Sequence, residues 1–380
     1  MSQRIRYGMV GGGEGAFIGA VHRNAAQLDG EYELVCGAFS SDAARGLKSG
    51  AALGLPAARC YPDYSTMMER EAALPPEERM QCVVIVTPND LHYGPAAAAL
   101  KHGFHVMSDK PATFNLDECR KLAALLHQTG LLYGLTHPYT AYPVIQQARE
   151  LVANGTLGTV RKIIVEYIQG WLSAPLERTA PVWRLDPRKA GVSCCMGDIG
   201  VHAFNLCEYV TGLNALRLSA ELSSIVNGRQ LDDDGTVLLH FDNGARGTLL
   251  ASQVCTGEEN AIRLRVYGDK AGLDWHQMEP NSLWLRHADK PVELIRAGTG
   301  YMGGSAKAFT RVPAGHPEGY IEAFANLYRN FAAQIRAHGT ELTVEHEAPG
   351  IRAALRGMAF IETVVRSDAA DNVWLDLPAL

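Results

Sequence analysis

The chain has 380 residues, 47% apolar and 20% charged, with a formal net charge of −6 at pH 7. This composition excludes a disordered or fibrous chain, and at roughly 150 residues per domain the length corresponds to two domains or one large one. Acidic and basic residues are interspersed, so no nucleic-acid surface is expected, and no run approaches the ~20 apolar residues of a membrane span. The 38 glycines exceed the ~7% background without a collagen-like period, which calls for tight turns or close backbone approach. Eight cysteines at irregular spacing, with Cys194 and Cys195 adjacent, fit neither a disulfide framework nor a metal site. Reduced, mostly buried thiols and no bound metal are expected. The N-terminus lacks signal-peptide architecture, so the expected location is the cytoplasm.

Residues 4–10 form a short apolar run ending at Gly11-Gly12-Gly13, and a helical pattern follows to about Leu28. Further strand-like runs fall at 32–38, weakly at 59–61, then at 82–86, 104–107 and 131–136, with helical stretches between them. Continuous apolar strands alternating with helices predict an α/β domain, a doubly wound parallel sheet of six strands covered on both faces. Ligands of such sheets bind beyond the carboxyl ends of the strands.

After the first strand, Gly11, Gly13 and Ala16 meet a G-x-G-x-x-[GA] pattern, with Gly12 between them and Gly19 beyond. The first glycine permits the turn, the second admits a pyrophosphate to the backbone, and the helix start supplies N–H groups and a positive dipole end. After the second strand, the usual ribose-binding acid is replaced by Phe39, followed by Ser40, Ser41, Asp42 and Arg45. Two hydroxyls and an arginine suit a 2′-phosphate and lean mildly toward NADP over NAD. Ser40 and Ser41 could instead cap the next helix, with Asp42 in its first turn, and Asp42 could itself reach the ribose.

Thr87-Pro88-Asn89-Asp90-Leu91-His92 follows the fourth predicted strand, Ser108-Asp109-Lys110-Pro111 the fifth, and Gly197-Asp198-Ile199-Gly200-Val201-His202 comes later. Together with the glycine loop, these segments resemble the Gfo/Idh/MocA family of NAD(P)-dependent oxidoreductases, with its T-P-N-x-x-H, E-K-P and G-D-x-G-x-H signatures. The resemblance spans nearly the whole chain. It implies NAD(P)(H) held by Gly11, Gly12, Gly13, Ala16, Ser40, Ser41, Arg45, Thr87, Asn89, His92 and Lys110. Two departures stand out: Asp109 replaces the glutamate of E-K-P, and the glycine loop is about two residues longer before Gly19 and His22.

The residue chemistry agrees with that implication. Lys110 at a strand's carboxyl end can stabilise negative charge on a substrate oxygen. Asp198 and His202, four apart on a predicted helix running to about Val210, share one face, so the carboxylate can orient the imidazole. An ordinary helix-surface ion pair is the plainer reading of that spacing. Under the resemblance His202 is the acid/base, Asp198 its partner or a substrate ligand, and Lys110 a donor to the substrate oxygen. The implied reaction is hydride transfer between nicotinamide and a secondary alcohol or ketone of a sugar, sugar derivative or cyclitol. Glycoside cleavage through transient sugar oxidation by tightly held NAD is the alternative. A non-catalytic dinucleotide sensor fits less well, because Lys110, Asp198 and His202 are all present.

The second half carries strand-like runs at 159–171, 216–226, 235–241, 245–254 and 261–268, with FDNGAR as a hairpin turn, and late helices at about 317–337 and 349–366. It predicts an α+β domain with a largely antiparallel open sheet. The domains are expected at 1–136, dinucleotide-binding, and 137–380, substrate-binding and oligomerising, with the late helices able to pack back on the first and the active site in the cleft. Substrate contacts are expected from Lys110, Tyr139, Trp183, Arg184, Asp198, His202 and His316, with His137, Tyr142 and Trp171 as further aromatic and polar candidates. One open sheet face, as the resemblance implies, makes a homo-oligomer, a dimer or tetramer.

Overall fold

Five short strands lie parallel in the order β2-β1-β3-β4-β5: β1 (Ile5–Gly11), β2 (Tyr32–Ala38), β3 (Cys82–Val86), β4 (His105–Ser108) and β5 (Tyr133–Leu135). The computed structural model describes residues 3–175 and 182–379. This sheet belongs to the first of two compact units, made of Met1–Thr136 and Phe324–Leu355. Helices α1 (Phe17–Leu28), α2 (Ala43–Ala52), α3 (Tyr64–Ala72), α4 (Tyr93–Lys101) and α5 (Leu116–Thr129) alternate with the strands. Every residue of β3 is buried, as a central strand covered on both faces must be. The sixth strand, expected near residue 60, is a single parallel bridge between Gly37 and Cys60, following a 3-10 turn at Ala57–Arg59. Pro56 and the short Ala-Ala-Arg run leave too little extended chain for a ladder. The strand order reverses between β1 and β3, which makes their carboxyl ends the switch point of the sheet.

The residues that pack this unit come from far along the chain. His22 of α1 is fully buried and its Nδ1 lies 2.7 Å from the Tyr328 hydroxyl. The Tyr32 hydroxyl donates to the Tyr328 carbonyl at 3.0 Å, and the Phe324 ring meets His22 edge-on. Burial depresses His22 to about 4, and burial followed by the nearby His338 does the same to His105. Because both folded-state values lie below the unfolded one, the unfolded chain binds more protons as the pH falls through 6.5, and stability drops with it. Each imidazole is worth about 2 kcal/mol between pH 7 and pH 5. Urea unfolding should therefore show a lower midpoint at pH 5, and His22→Gln should flatten that dependence. Equal midpoints for the wild type at both pH values would contradict this account.

The second unit comprises His137–Ala323 and Arg356–Leu380. Its nine-stranded sheet runs β13-β12-β11-β10-β6-β9-β8-β7-β14. The strands are β6 (Val160–Ile168), β7 (Ala215–Ser223), β8 (Asp234–Phe241), β9 (Arg246–Ser252), β10 (Ala261–Gly268), β11 (Ala271–His276), β12 (Ser282–His287), β13 (Glu293–Arg296) and β14 (Leu375–Asp376). Among the described residues of this sheet, only β6 and β9 pair in parallel. Asp242-Asn243-Gly244 turns β8 into β9, with Gly244 at φ 89°. Helices α6 (Pro143–Ala153), α7 (Pro187–Ala190), α8 (Val201–Thr211) and α9 (Gly304–Ala308) follow in the same unit. Of the last two helices, α10 (Tyr320–Ala337) lies mostly in the first unit and α11 (Ile351–Ala369) mostly in the second.

Alternation along the strands sorts the two faces of this sheet. Ile163, Val165, Leu249, Leu264, Leu273 and Leu283 are buried on one side, where α8 packs on β6, β9 and β10. Pairing register places Trp284, Asp274, Arg265, Ile164, Thr248 and Leu238 in one row on the other side. Trp284 and Leu238 there are 38% and 45% exposed. Among the described residues, no helix is long and apolar enough to cross a membrane.

Candidate active site

In the first unit the turn after β1 is built from backbone that only glycine tolerates well. Gly11 and Gly12 have φ of 81° and 70°, and Gly15 has 82°. A Cβ on Gly13 would stand 2.8 Å from both the Phe39 carbonyl and Ser49 Oγ, and one on Gly19 would stand 2.4 Å from Gly12 Cα. The tight helix-to-loop contact therefore falls to Gly19, while Ala16 is the N-cap of α1 and makes no side-chain cap bond. A cavity of about 380 Å³ opens on this turn, lined by Gly12, Gly13, Ala16, Arg23, Lys48 and Ser49. Its glycine walls, the Arg23 guanidinium and a helix N-terminus without a side-chain cap fit a pyrophosphate, while Lys48 is paired with Glu14, which also lines the cavity.

Beyond β2, Phe39 is buried and Ser41 exposed. Arg45 Nε and the Asp42 amide both donate to Ser40 Oγ, at 2.9 and 3.1 Å. The Asp42 carboxylate accepts from the Arg45 amide at 2.8 Å and is the N-cap of α2. Of the capping alternatives, it is Asp42 rather than either serine that caps.

The ends of β3 and β4 are tied to each other. His92, buried, places Nε2 2.8 Å from the Thr87 carbonyl and Nδ1 2.6 Å from the Pro111 carbonyl. Thr87 Oγ1 donates to the Leu91 carbonyl, and Asn89 is buried in the same turn. Asp109 Oδ1 accepts the Lys110 amide and Thr136 Oγ1, both at 2.9 Å. The shorter acid thus pins the backbone from which the half-buried Lys110 side chain departs.

In the second unit the helix predicted through Asp198 and His202 begins as a π turn, Met196–Gly200, and only then becomes α8. The wider turn replaces the α-helical i, i+4 spacing, and π segments recur at functional sites. Neither residue is a helix-surface ion: Asp198 is half-buried and His202 is 7% exposed. Arg184 Nε donates to Asp198 Oδ1 at 3.1 Å, and Gln253 Nε2 donates to Oδ2 at 3.0 Å. The Arg184 guanidinium lies 4.5 Å over the Trp183 ring. His202 Nδ1 lies 3.1 Å from His137 Nδ1. The Tyr139 ring meets His202 edge-on, and its hydroxyl is 2.6 Å from that of Tyr167. Asn260 Nδ2 donates to the Tyr139 hydroxyl at 3.0 Å, and burial raises both phenols above their ordinary range.

The substrate candidates thus fall into two linked sets, Trp183–Arg184–Asp198 and His137–His202–Tyr139. Trp171 Nε1 donates to Gln169 Oε1 beside the second set. Tyr142 is core, packed against Trp275, and His316 is exposed, its Nδ1 3.1 Å from the Pro313 carbonyl. Among the described residues no three His, Cys, Asp or Glu side chains are grouped to hold a metal.

Residues 5–137 match the family model described as the oxidoreductase family with an NAD-binding Rossmann fold, and residues 145–274 match the GFO/IDH/MocA C-terminal domain. An uncharacterized oxidoreductase of Bacillus subtilis (strain 168) is 33% identical over 99% of this chain and 98% of its own length. The chain belongs to the Gfo/Idh/MocA family. It is accordingly an oxidoreductase with an NAD-binding first domain. An inositol dehydrogenase homolog from Azotobacter vinelandii, crystallised with NAD+, is 37% identical, with a TM-score of 0.95 over 99% of this chain and 98% of that one. An oxidoreductase from Sinorhizobium meliloti is 43% identical, with a TM-score of 0.89 over 98% and 100%. The levoglucosan dehydrogenase of Pseudarthrobacter phenanthrenivorans is 24% identical over 78% of this chain and 80% of its own.

Around these candidate residues, two further ones escaped the reading of the sequence. Gln253 is fully buried at the end of β9, accepts Cys194 Sγ at 3.4 Å, and reaches Asp198. Asp232 accepts Ser193 Oγ and the amides of Cys194 and Met196, at 2.9, 2.9 and 3.0 Å, and so pins the entry to the π turn. An amide after a strand carries no local signal. The Asp232-Asp233-Asp234 run did carry one, because such a cluster beside apolar strands must find donors.

Proposed function

We propose that the protein is a dehydrogenase or reductase acting on a secondary alcohol or ketone of a sugar, sugar derivative or cyclitol with NAD(P)(H). The observation that carries this reading is the Asp198–Arg184 pair. The pair is charge-compensated and offers carboxylate and guanidinium edges beside the Trp183 ring, which suits the hydroxyls and CH faces of a neutral polyol. Support comes from a second structure of the Azotobacter inositol dehydrogenase homolog, complexed with NADH and myo-inositol, 36% identical with a TM-score of 0.93.

Gly11, Gly12, Gly13 and the start of α1 would hold the pyrophosphate, with Thr87, Asn89 and His92 shaping the wall at the end of β3. When bound, the nicotinamide accepts or returns a hydride. Lys110 donates a hydrogen bond to the substrate oxygen, and His202 takes the hydroxyl proton in oxidation and returns it in reduction. Ser40 and Arg45, with no acid at the end of β2, tilt the ribose site toward a 2′-phosphate, so NADP(H) is the favoured carrier.

The test is a reduction screen of sugars, glycosides and inositols with NAD+ and NADP+, together with dissociation constants for NADH and NADPH. Net cofactor reduction with a free sugar or cyclitol is the expected result, with NADPH bound the tighter. Glycoside cleavage without net reduction would replace the reading, and a clear NADH preference would remove the role given to Ser40 and Arg45. The exposed row of Trp284 and Leu238 supports a homo-oligomer, which the mass of the same preparation by light scattering should report as a dimer or tetramer rather than a monomer.

A further inference from the structure

His137 immediately precedes the 3-10 turn Pro138–Ala141, and His202 is the second residue of α8, yet their Nδ1 atoms lie 3.1 Å apart with the rings at 86°. Both are buried, at 1% and 7% exposure. Two ring nitrogens at that distance bond only when one carries hydrogen and the other presents a lone pair, so one proton serves both Nδ1 atoms. The tautomers of the two imidazoles are therefore coupled. If His202 is the donor, its Nε2 carries a lone pair and is a base. If His137 is the donor, His202 carries hydrogen on Nε2 and cannot take a proton there.

We propose that His137 is a positioning residue for proton transfer, accepting the Nδ1–H of His202 on its own Nδ1 and so holding His202 in the tautomer with a basic Nε2. The inference rests on the reading of His202 as the acid/base. In oxidation the substrate O–H bond breaks and its proton forms a new bond to His202 Nε2. The C–H electron pair leaves with its hydrogen as hydride to the nicotinamide, and the C–O bond becomes a carbonyl. His202 becomes an imidazolium that keeps its Nδ1–H bond to neutral His137, so charge and atoms balance. A neutral acceptor steadies that cation less than a carboxylate would, which leaves the proton returnable in the reverse reaction.

The surroundings suit this role. The rings of Tyr139 and Tyr167 lie 5.0 and 6.3 Å from that of His202, and burial keeps both phenols neutral. Tyr320 lies beyond Tyr139 at 6.2 Å. The charge of Asp198 reaches both phenols, and Asp198 is itself paired with Arg184 and bonded by Gln253 on its second carboxylate oxygen. The two phenol rings packed on His202 limit its rotation, and the Nδ1 contact ties its imidazole to that of His137.

Histidine 15N NMR of the unliganded protein, assigned with single variants, tests the inference without turnover. His202 is expected as the Nδ1–H tautomer in the wild type and as the Nε2–H tautomer in His137→Leu. In assays, His137→Leu should lower kcat about 30- to 100-fold with KM changed less than about threefold, and should move the acidic limb of the kcat profile to lower pH. His137→Asn, whose Oδ1 can accept the same hydrogen, should recover about tenfold or more of that loss. A wild-type His202 protonated on Nε2 and bare on Nδ1 overturns the inference, as does wild-type kcat in His137→Leu. Full activity in His202→Gln would instead remove the acid/base reading itself. An inactive His202→Gln beside an unperturbed His137→Leu removes the role of His137 alone.

Discussion

Replacing Lys110 or His202 with alanine is expected to lower kcat by a factor of about 10² to 10⁴ each, while NAD(P)H binding stays within a few-fold of wild type. Under the proposed function, the two residues serve the substrate oxygen in different ways. An ammonium stabilises the developing alkoxide electrostatically, and an imidazole carries its proton. Lys110 leaves a backbone held at its amide by Asp109, which Thr136 in turn secures, with the next carbonyl bonded by His92. That rigidity fixes the origin of the side chain, so Lys110→Arg should not restore activity, since the fork of donors on a longer arm cannot occupy the same point. Steady-state kinetics with fluorescence titration of the reduced cofactor separates the two quantities. Full turnover in either alanine variant would sink the assignment, and loss of cofactor binding in both would make them structural.

Gly19→Ala should have the second-largest effect, raising the cofactor dissociation constant about 30-fold or more and lowering the thermal midpoint. The added methyl would stand 2.4 Å from Gly12 Cα and 2.6 Å from its carbonyl oxygen, against backbone that cannot rotate away. Helix α1 must then move off the turn, which carries its N-terminal amides away from the phosphate position and costs about 1–3 kcal/mol of overpacking. Gly46→Ala is the control, because its Cβ would meet nothing closer than 3.7 Å and the residue lies inside α2. Equal cofactor affinity in Gly19→Ala and wild type would show that the loop does not depend on this contact.

Much of the fold was legible because its signals are local. The run CVVIV can only be a strand covered on both faces, and it is buried throughout. The turn after β1 announced itself through glycine, and two of the three residues of the consecutive run take positive φ. The segments ending at His92 and Lys110 fall at the ends of β3 and β4, where the alternation of strand and helix placed them. The weak strand near residue 60 failed for a local reason as well, since a proline and a 3-10 turn leave one bridge where a ladder was expected.

The sequence by itself determined the two kinds of sheet, the glycine turn and the residue types carried to the strand ends, because each depends on neighbours within a few positions. Only the tertiary structure decided which groups those residues meet. Gly19 makes the close approach to Gly12, a contact that depends on how the loop folds in space and not on motif positions. Asp198 meets Arg184 and Gln253, the latter 55 residues away, and His202 meets His137, 65 residues away. A hydrogen bond is a short-range interaction between atoms that the chain brings together only after the sheet has formed, and no periodicity along the sequence encodes it.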